Sequence, residues 1–209
     1  YGTTYNVMLL AALETLYGND FGLSAIPGFI KGGEYILHMV GPSCLPFNFG
    51  DSGSRMRLNT SLFWFARKTK NPALLRNECK LLLEIPNYDY EQYRRMLPSI
   101  FVLGKDINLA NLPKPKVDMF AAKNEAPVCL MRSSWKEDAI YVGIKGGKAS
   151  ANTHTHLDAG SFVMDAQGVR WAVDLGPQEY NSLESKGIAL WDNRANGQRW
   201  KVFRYNNFA

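Results

Sequence analysis

The sequence predicts an α+β protein with two segregated parts, a helical part followed by an antiparallel β part. Apolar residues recur with the helical period in the first half and with the strand period in the second half. Between the halves, Leu112 to Lys116 carries two prolines separated by one residue, a pattern that favours an extended linker. Because helices and strands do not alternate, a parallel sheet is not predicted. We place the helical part at 1–113, the linker at 114–117 and the β part at 118–209.

Composition excludes several classes of protein. The 209 residues are 46% hydrophobic, enough to bury one large core or two small ones, so disorder is not expected. No apolar run approaches the roughly 18 to 20 residues of a membrane span. The net charge is +5, and 186–204 holds five basic residues against one acid, a local field that attracts anions. No nucleic-acid-binding pattern accompanies these charges. Three scattered cysteines indicate neither a disulfide framework nor a metal-spaced pair.

Five helices are predicted in the helical part. The first has Thr3 or Thr4 as its N-cap and stops at Gly18. A later one has Asn71 as its N-cap and Pro72 at its first position, and it continues to Leu83. The remaining three are predicted at 27–40, 61–68 and 89–96. Helices of this kind, each with one apolar face and joined by short turns, favour an antiparallel helical array.

Four strands are predicted in the β part, at 128–132, 139–144, 161–164 and 169–174. Turns are expected at Gly146 to Gly147 and at Ala166 to Gly168. The last two strands therefore form a hairpin centred on Gln167. This hairpin sets Asp174 opposite Gly160.

Two of the three histidines stand two residues apart, at His154 and His156. In extended backbone such residues project from one face, so they can converge on one metal or one substrate. The alternative is an exposed polar loop that enters a strand. Asp174 lies in an apolar strand, where a buried carboxylate is expected to be paired or bound to a metal. A bend near Gly160 is needed to bring His156 to Asp174.

The run from Asn152 to Gly176 resembles the heparinase II/III-like family of polysaccharide lyases, which joins a helical α/α toroid to an antiparallel β-sandwich. Two shorter segments, Tyr1 to Asn6 and Phe47 to Asp51, resemble parts of the toroid. The resemblance implies that the helical part is the C-terminal portion of a toroid and the β part the N-terminal portion of a sandwich. The chain is accordingly expected to be a piece of a longer periplasmic or secreted protein.

The resemblance also implies roles for individual residues. His154 matches the catalytic histidine that faces the substrate, and Tyr1 lies near the place of the catalytic tyrosine. His156 and Asp174 match two ligands of a structural zinc. The third ligand is expected to be a histidine just beyond Ala209.

Substrate-binding residues are predicted from charge and position. Arg199 and Arg204 are expected to bind carboxylates or sulfates of the substrate. Tyr180 is a further candidate that follows Asp174 by six residues. Aromatic residues that suit stacking on sugars, although each is more often a core residue, are Tyr5, Trp64 and Trp191. His38 is interpreted as a buried structural histidine, and Asp51 as a turn or cap residue.

The resemblance implies a lyase that cleaves a uronic-acid-containing acidic polysaccharide, of glycosaminoglycan or alginate type, by β-elimination. One alternative is a noncatalytic carbohydrate-binding protein on the same scaffold. Another is a zinc hydrolase of the metallo-β-lactamase type, because His154, His156 and Asp158 match half of that signature. That signature requires a histidine where this chain has Ala159.

Overall fold

The computed structural model describes residues 2–84, 96–123, 126–147, 156, 158–192 and 194–198. The described α-helices precede a five-stranded antiparallel sheet, except for one short helix after it, and the predicted α+β class is confirmed. In the described part of the chain, no helix has the length and apolar character needed to cross a membrane.

The chain divides into two compact units. The first comprises the described residues within Tyr1–Leu37 and Arg57–Lys116, and the second those within His38–Met56 and Val117–Ala209. The chain passes from one unit to the other three times, and the last passage, from Lys116 to Val117, lies at the proline-rich segment. Residues 38–56, which precede most of the helices, belong to the unit that contains the sheet.

The α-helices of the first unit follow the sequence pattern with several corrections. Helix α3 has the predicted bounds, and the predicted helix at 72–83 begins as a 3₁₀ turn, Pro72–Leu75, and continues as α4. Helix α5 was not predicted, whereas the helix predicted at 89–96 lies mostly outside the described residues. The bounds are α1 Gly2–Tyr17, α2 Gly32–His38, α3 Ser61–Lys68, α4 Arg76–Glu84 and α5 Leu97–Leu103.

Two helix starts were predicted wrongly. Helix α1 already includes Thr3 and Thr4, so neither residue is its N-cap. Helix α2 begins at Gly32 instead of position 27, because Gly28 has a left-handed φ of 86° that a right-handed helix does not accommodate. The predicted stop at Gly18 is confirmed, since its φ is 73° and its N–H bonds the Glu14 carbonyl at 3.0 Å.

The core of the first unit is mainly aromatic and aliphatic. Trp64 and Phe65 of α3 are fully buried, and Leu74 and Leu75 pack beside them. A Cβ atom added to Gly33 would lie 3.0 Å from Cβ of Phe65, so α2 approaches α3 closely. Trp64, one of the candidates for sugar stacking, is therefore a core residue.

The sheet of the second unit is a meander in which each strand pairs with the next. The strands are β1 Met119–Ala122, β2 Val128–Arg132, β3 Tyr141–Lys145, β4 Phe162–Ala166 and β5 Val169–Ala172. Four were predicted, with shifts of one or two residues at their ends, and β1 was missed. A short helix, α6, covers Tyr180–Glu184.

The register of the last hairpin differs from the prediction. Gln167 and Gly168 form the expected turn, with φ values of 52° and 73°. An irregularity between Met164 and Asp165 then shifts the pairing, which ends at Ala172. Asp174 therefore lies beyond the paired residues and is not opposite Gly160.

Residues 38–56 cover one face of this sheet. A Cβ atom at Gly143 of β3 would lie 2.7 Å from the Phe47 ring, so glycine permits this close approach. The Tyr141 hydroxyl donates to the His38 carbonyl at 3.0 Å, and the Asn48 amide donates to the Asp174 carbonyl at 3.1 Å. These contacts bring the segment beside the strands that lead to the candidate site.

Candidate functional site

The candidate site lies in the second unit, around His156. Its imidazole is buried, with 3% of the residue exposed, and Nε2 lies 3.0 Å from Oδ1 of Asp51. The Tyr180 hydroxyl donates to the same carboxylate oxygen at 3.4 Å. Of the two ring nitrogens of His156, Nε2 is therefore the one that faces the Asp51 carboxylate. Asp51, interpreted from sequence as a turn or cap residue, is thus part of the cluster.

Asp174 interacts electrostatically with Asp158, His156 and Arg170. Its Oδ1 accepts the Gly176 backbone N–H at 2.8 Å. Burial raises the pKa of Asp174, and the nearby Asp158 carboxylate raises it further. The Gly176 N–H and the charges of His156 and Arg170 oppose this rise in pKa. The strand register that was expected to bring Asp174 to His156 is not present, because the strand pairing ends at Ala172.

A buried ion pair anchors the chain next to His156. Lys145, at the end of β3, donates from Nζ to Oδ1 of Asp158, and both side chains are almost completely buried. The Gly160 N–H bonds the Lys145 carbonyl at 2.7 Å, and the Lys145 N–H bonds the Ser161 carbonyl at 2.9 Å. The segment that follows His156 is thus held against β3 by an ion pair and by backbone hydrogen bonds. Lys145 is not among the predicted site residues, although a lysine in an apolar strand is a recognisable signal.

A second buried ion pair holds the segment that leads to Asp51. Asp165 of β4 accepts hydrogen bonds from Arg170, from the Ser43 hydroxyl at 2.6 Å and from the Ser43 backbone N–H at 3.1 Å. Arg170 also donates to the carbonyls of Pro46 and Leu45, at 3.1 and 2.8 Å. A single fully buried carboxylate therefore connects the hairpin β4–β5 to the segment 43–46.

Four of the predicted site residues lie outside the described residues: His154, Tyr1, Arg199 and Arg204. Tyr180 is half-buried at the start of α6 and contacts the cluster through Asp51.

The donor chemistry of the cluster suits zinc, which binds imidazole and carboxylate ligands. A histidine that binds a metal usually donates its second ring N–H to a carboxylate or carbonyl, and Asp51 provides such a partner at Nε2 of His156. Within the described ranges, no three His, Cys, Asp or Glu side chains form a group with metal-binding geometry.

Comparison with known proteins bears on the fold. No protein-family model matches the sequence, and no curated protein matches it. The structure is similar to that of a mutant heparan sulfate lyase HepC from Pedobacter heparinus, with a TM-score of 0.51 and 17% sequence identity. The match covers 80% of this chain and 22% of that chain.

The predicted fold resemblance is confirmed. A second match is Heparinase III, with a TM-score of 0.44 and 18% identity, which covers 83% of this chain and 26% of that one. The chain therefore spans about a quarter or less of the length of these two lyases. At such identity, the likeness to the heparan sulfate lyase shows the fold alone.

Proposed function

We propose that the protein is a polysaccharide lyase that cleaves a uronic-acid-containing acidic polysaccharide by β-elimination. The observation that carries the proposal is the buried His156, held against Asp51, in a chain whose fold is similar to that of a heparan sulfate lyase. The helical part would be the end of an α/α toroid, and the β part the start of a sandwich. A periplasmic or secreted location belongs to the same proposal.

β-Elimination requires a base, a group that neutralises the substrate carboxylate, and an acid for the leaving oxygen. A base removes the proton from C5 of the uronate, the electron pair forms the C4–C5 double bond, and the C4–O bond breaks. The C5 proton is poorly acidic because its neighbour is an ionised carboxylate, so the site must neutralise that charge. The leaving oxygen then takes a proton from a nearby acid.

In this proposal, His154 is the base and Tyr1 returns a proton to the leaving oxygen. His154 is separated from His156 by one residue, and His156 is fixed by its contact with Asp51. The Lys145–Asp158 pair immobilises the chain on the other side of His156. A histidine base benefits from such anchoring because a proton is transferred only over a short, well-aligned distance.

His156 and Asp174 would hold a structural zinc. When bound, the ion would fix the backbone of the histidine segment. The third protein ligand is expected beyond Ala209.

Arg199 and Arg204 would bind the carboxylates or sulfates of the substrate. Tyr180 would contribute a hydroxyl that Asp51 orients. Arginine suits this role because its guanidinium binds planar carboxylates and sulfates in a bidentate manner.

The lyase assignment is tested with the complete protein and a panel of uronic-acid polysaccharides, by following the ultraviolet absorbance of the unsaturated product. We expect His154→Ala to reduce turnover at least about a thousandfold, in the range of losing a general base. His38→Phe, which changes the buried histidine outside the cluster, serves as the matched control and keeps turnover. Products that lack the double bond, or binding without any product, contradict the lyase assignment.

The zinc assignment is tested by elemental analysis of the complete protein. Asp174→Ala is expected to remove zinc, whereas Asp192→Ala, which changes an aspartate paired with Arg194, keeps it. Full zinc retention in Asp174→Ala would contradict the assignment of Asp174 as a ligand.

A further inference from the structure

Two tryptophans of the second unit are strongly exposed, Trp171 at 67% and Trp191 at 65%. Exposed indole rings are unfavourable in water, and a ring with a fixed orientation is a typical contact for a ligand. Their surroundings differ. Trp171 lies on β5 and donates its indole N–H to the Ala166 carbonyl at 3.1 Å. Trp191 instead belongs to an aromatic pair.

The aromatic pair consists of Trp191 and Tyr180. Their ring centroids are 5.3 Å apart, with an interplanar angle of 73°. The indole N–H of Trp191 donates to Oε1 of Glu184 at 2.9 Å. The pair therefore has a defined edge-to-face geometry, and the hydrogen bond fixes the orientation of the indole.

A small apolar cluster supports the pair. Leu183 of α6 and Leu190 are buried, and Tyr180 and Ile188 pack against them. Trp191 follows Leu190 directly, so the buried leucine anchors the backbone that carries the exposed indole. The buried leucines therefore hold in place the Tyr180 ring and the backbone that carries the Trp191 ring.

The aromatic pair is connected to the candidate site by hydrogen-bond contacts. The Tyr180 hydroxyl donates to Oδ1 of Asp51 at 3.4 Å, and the same oxygen lies 3.0 Å from Nε2 of His156. A sugar chain that reaches the His156 cluster would thus have an aromatic surface next to it.

The chemistry of the pair suits a sugar ring. The C–H groups on one face of a pyranose carry partial positive charge, and the face of an aromatic ring is negative. Glu184 lies at the edge of the indole and accepts hydrogen bonds, so it favours hydroxyl or amide groups there and repels carboxylates and sulfates.

We propose that Trp191 and Tyr180 form a stacking subsite for a sugar ring of the polysaccharide, adjacent to the His156 cluster. Glu184 makes this subsite select a ring face that presents hydroxyl or amide groups. This inference rests on the proposed function, because it takes the ligand to be the same acidic polysaccharide.

The test measures equilibrium binding of heparan sulfate and of alginate to the complete protein, together with release of unsaturated product. We expect Trp191→Ala to weaken binding of the polysaccharide that the protein takes by about tenfold, within the range of an aromatic contact. Trp191→Phe retains an aromatic face and should recover most of this loss. Trp171→Ala removes an equally exposed tryptophan and should leave binding unchanged. Thermal unfolding of each variant establishes that it is folded.

The outcomes separate the subsite from the proposed function. Unchanged binding in Trp191→Ala, or an equal loss in Trp171→Ala, overturns the subsite even when unsaturated product forms. Binding that depends on Trp191 without unsaturated product supports the subsite and overturns the lyase assignment. Binding of neither polysaccharide overturns both.

Discussion

The two units of the protein differ in how far their ion pairs are exposed to solvent. In the first unit, Lys68 bridges Glu14 and Asp20 at 2.6 and 2.8 Å, with about a third of its side chain exposed. In the second unit, the Lys145–Asp158 and Arg170–Asp165 pairs are almost entirely buried. Burying an ion pair costs desolvation free energy. The attraction between the two charges offsets this cost only when their geometry is good. The second unit therefore holds particular segments in place through charge pairs that are shielded from solvent.

Glu78 is an instructive exception in the first unit. Its side chain is buried, and Oε2 has no hydrogen-bond partner among the described residues. Burial raises the pKa of Glu78 to about 8, so the carboxyl is protonated at neutral pH. The first unit thus buries a carboxyl in its neutral form, whereas the second unit buries carboxylates with a cationic partner.

The largest effect is expected from breaking a buried pair. Lys145→Met leaves the Asp158 carboxylate buried without its cation, and we expect the free energy of unfolding to fall by about 3 to 5 kcal/mol. Urea unfolding measures this loss. The double variant Lys145→Met/Asp158→Leu removes both charges and should restore most of the stability. If Lys145→Met lowers the free energy of unfolding no more than Lys68→Met does, the proposed difference between the buried and exposed pairs of the two units is wrong.

The second prediction concerns Glu78. The folded state keeps the Glu78 proton up to about pH 8, whereas a glutamate in the unfolded chain loses its proton near pH 4.5. The contribution of Glu78 to stability is therefore complete below pH 4.5 and is lost as the pH rises through about 8. We expect the free energy of unfolding to fall by several kcal/mol across this window, and Glu78→Gln should abolish this fall. Urea unfolding at a series of pH values measures both, and an unchanged profile in Glu78→Gln would contradict the assignment.

The third prediction has the opposite sign and concerns the second unit. Burial, with a smaller contribution from the Arg132 charge, lowers the pKa of His38 to about 4. Its contribution to stability is present above pH 6.5 and is lost as the pH falls through about 4. A loss of about 3 kcal/mol is expected, and His38→Phe should remove it while keeping an aromatic ring against Trp135. Acid unfolding that is identical in the two proteins would show that His38 does not contribute.

The smallest effect is expected at the exposed pairs of the first unit. Lys68→Met should change the free energy of unfolding least among these variants, because solvent screens the contacts of Lys68 with Glu14 and Asp20. The difference from the parent should disappear in about 1 M salt, where the screening length is only about 3 Å. A large loss that persists in salt would show that these contacts resemble the buried pairs of the second unit.

Local patterns in the sequence predicted the elements that depend on local interactions. The apolar period predicted α3 with its observed bounds, and alternation predicted β2. The turn at Gln167 and Gly168 followed from residues that tolerate positive φ. Helix α5 was missed, although Pro98 in its first turn is a helix-start signal. The two candidate zinc ligands came from the family resemblance, which extends over a continuous run of residues.

Only the tertiary structure decided which distant segments meet at the candidate site. Asp51 contacts His156 across 105 residues of sequence, and Asn48 reaches Asp174 across 126. Residues 38–56 lie between helices in the sequence, yet they pack on the sheet. Periodicity reports which face of an element is apolar, but not which other segment covers that face. Two sets of contacts determine that residues 38–56 cover the sheet. Phe47 packs closely against Gly143, and the buried Asp165 carboxylate bonds both Ser43 and Arg170. Such packing and buried charge pairing arise only when the whole unit folds.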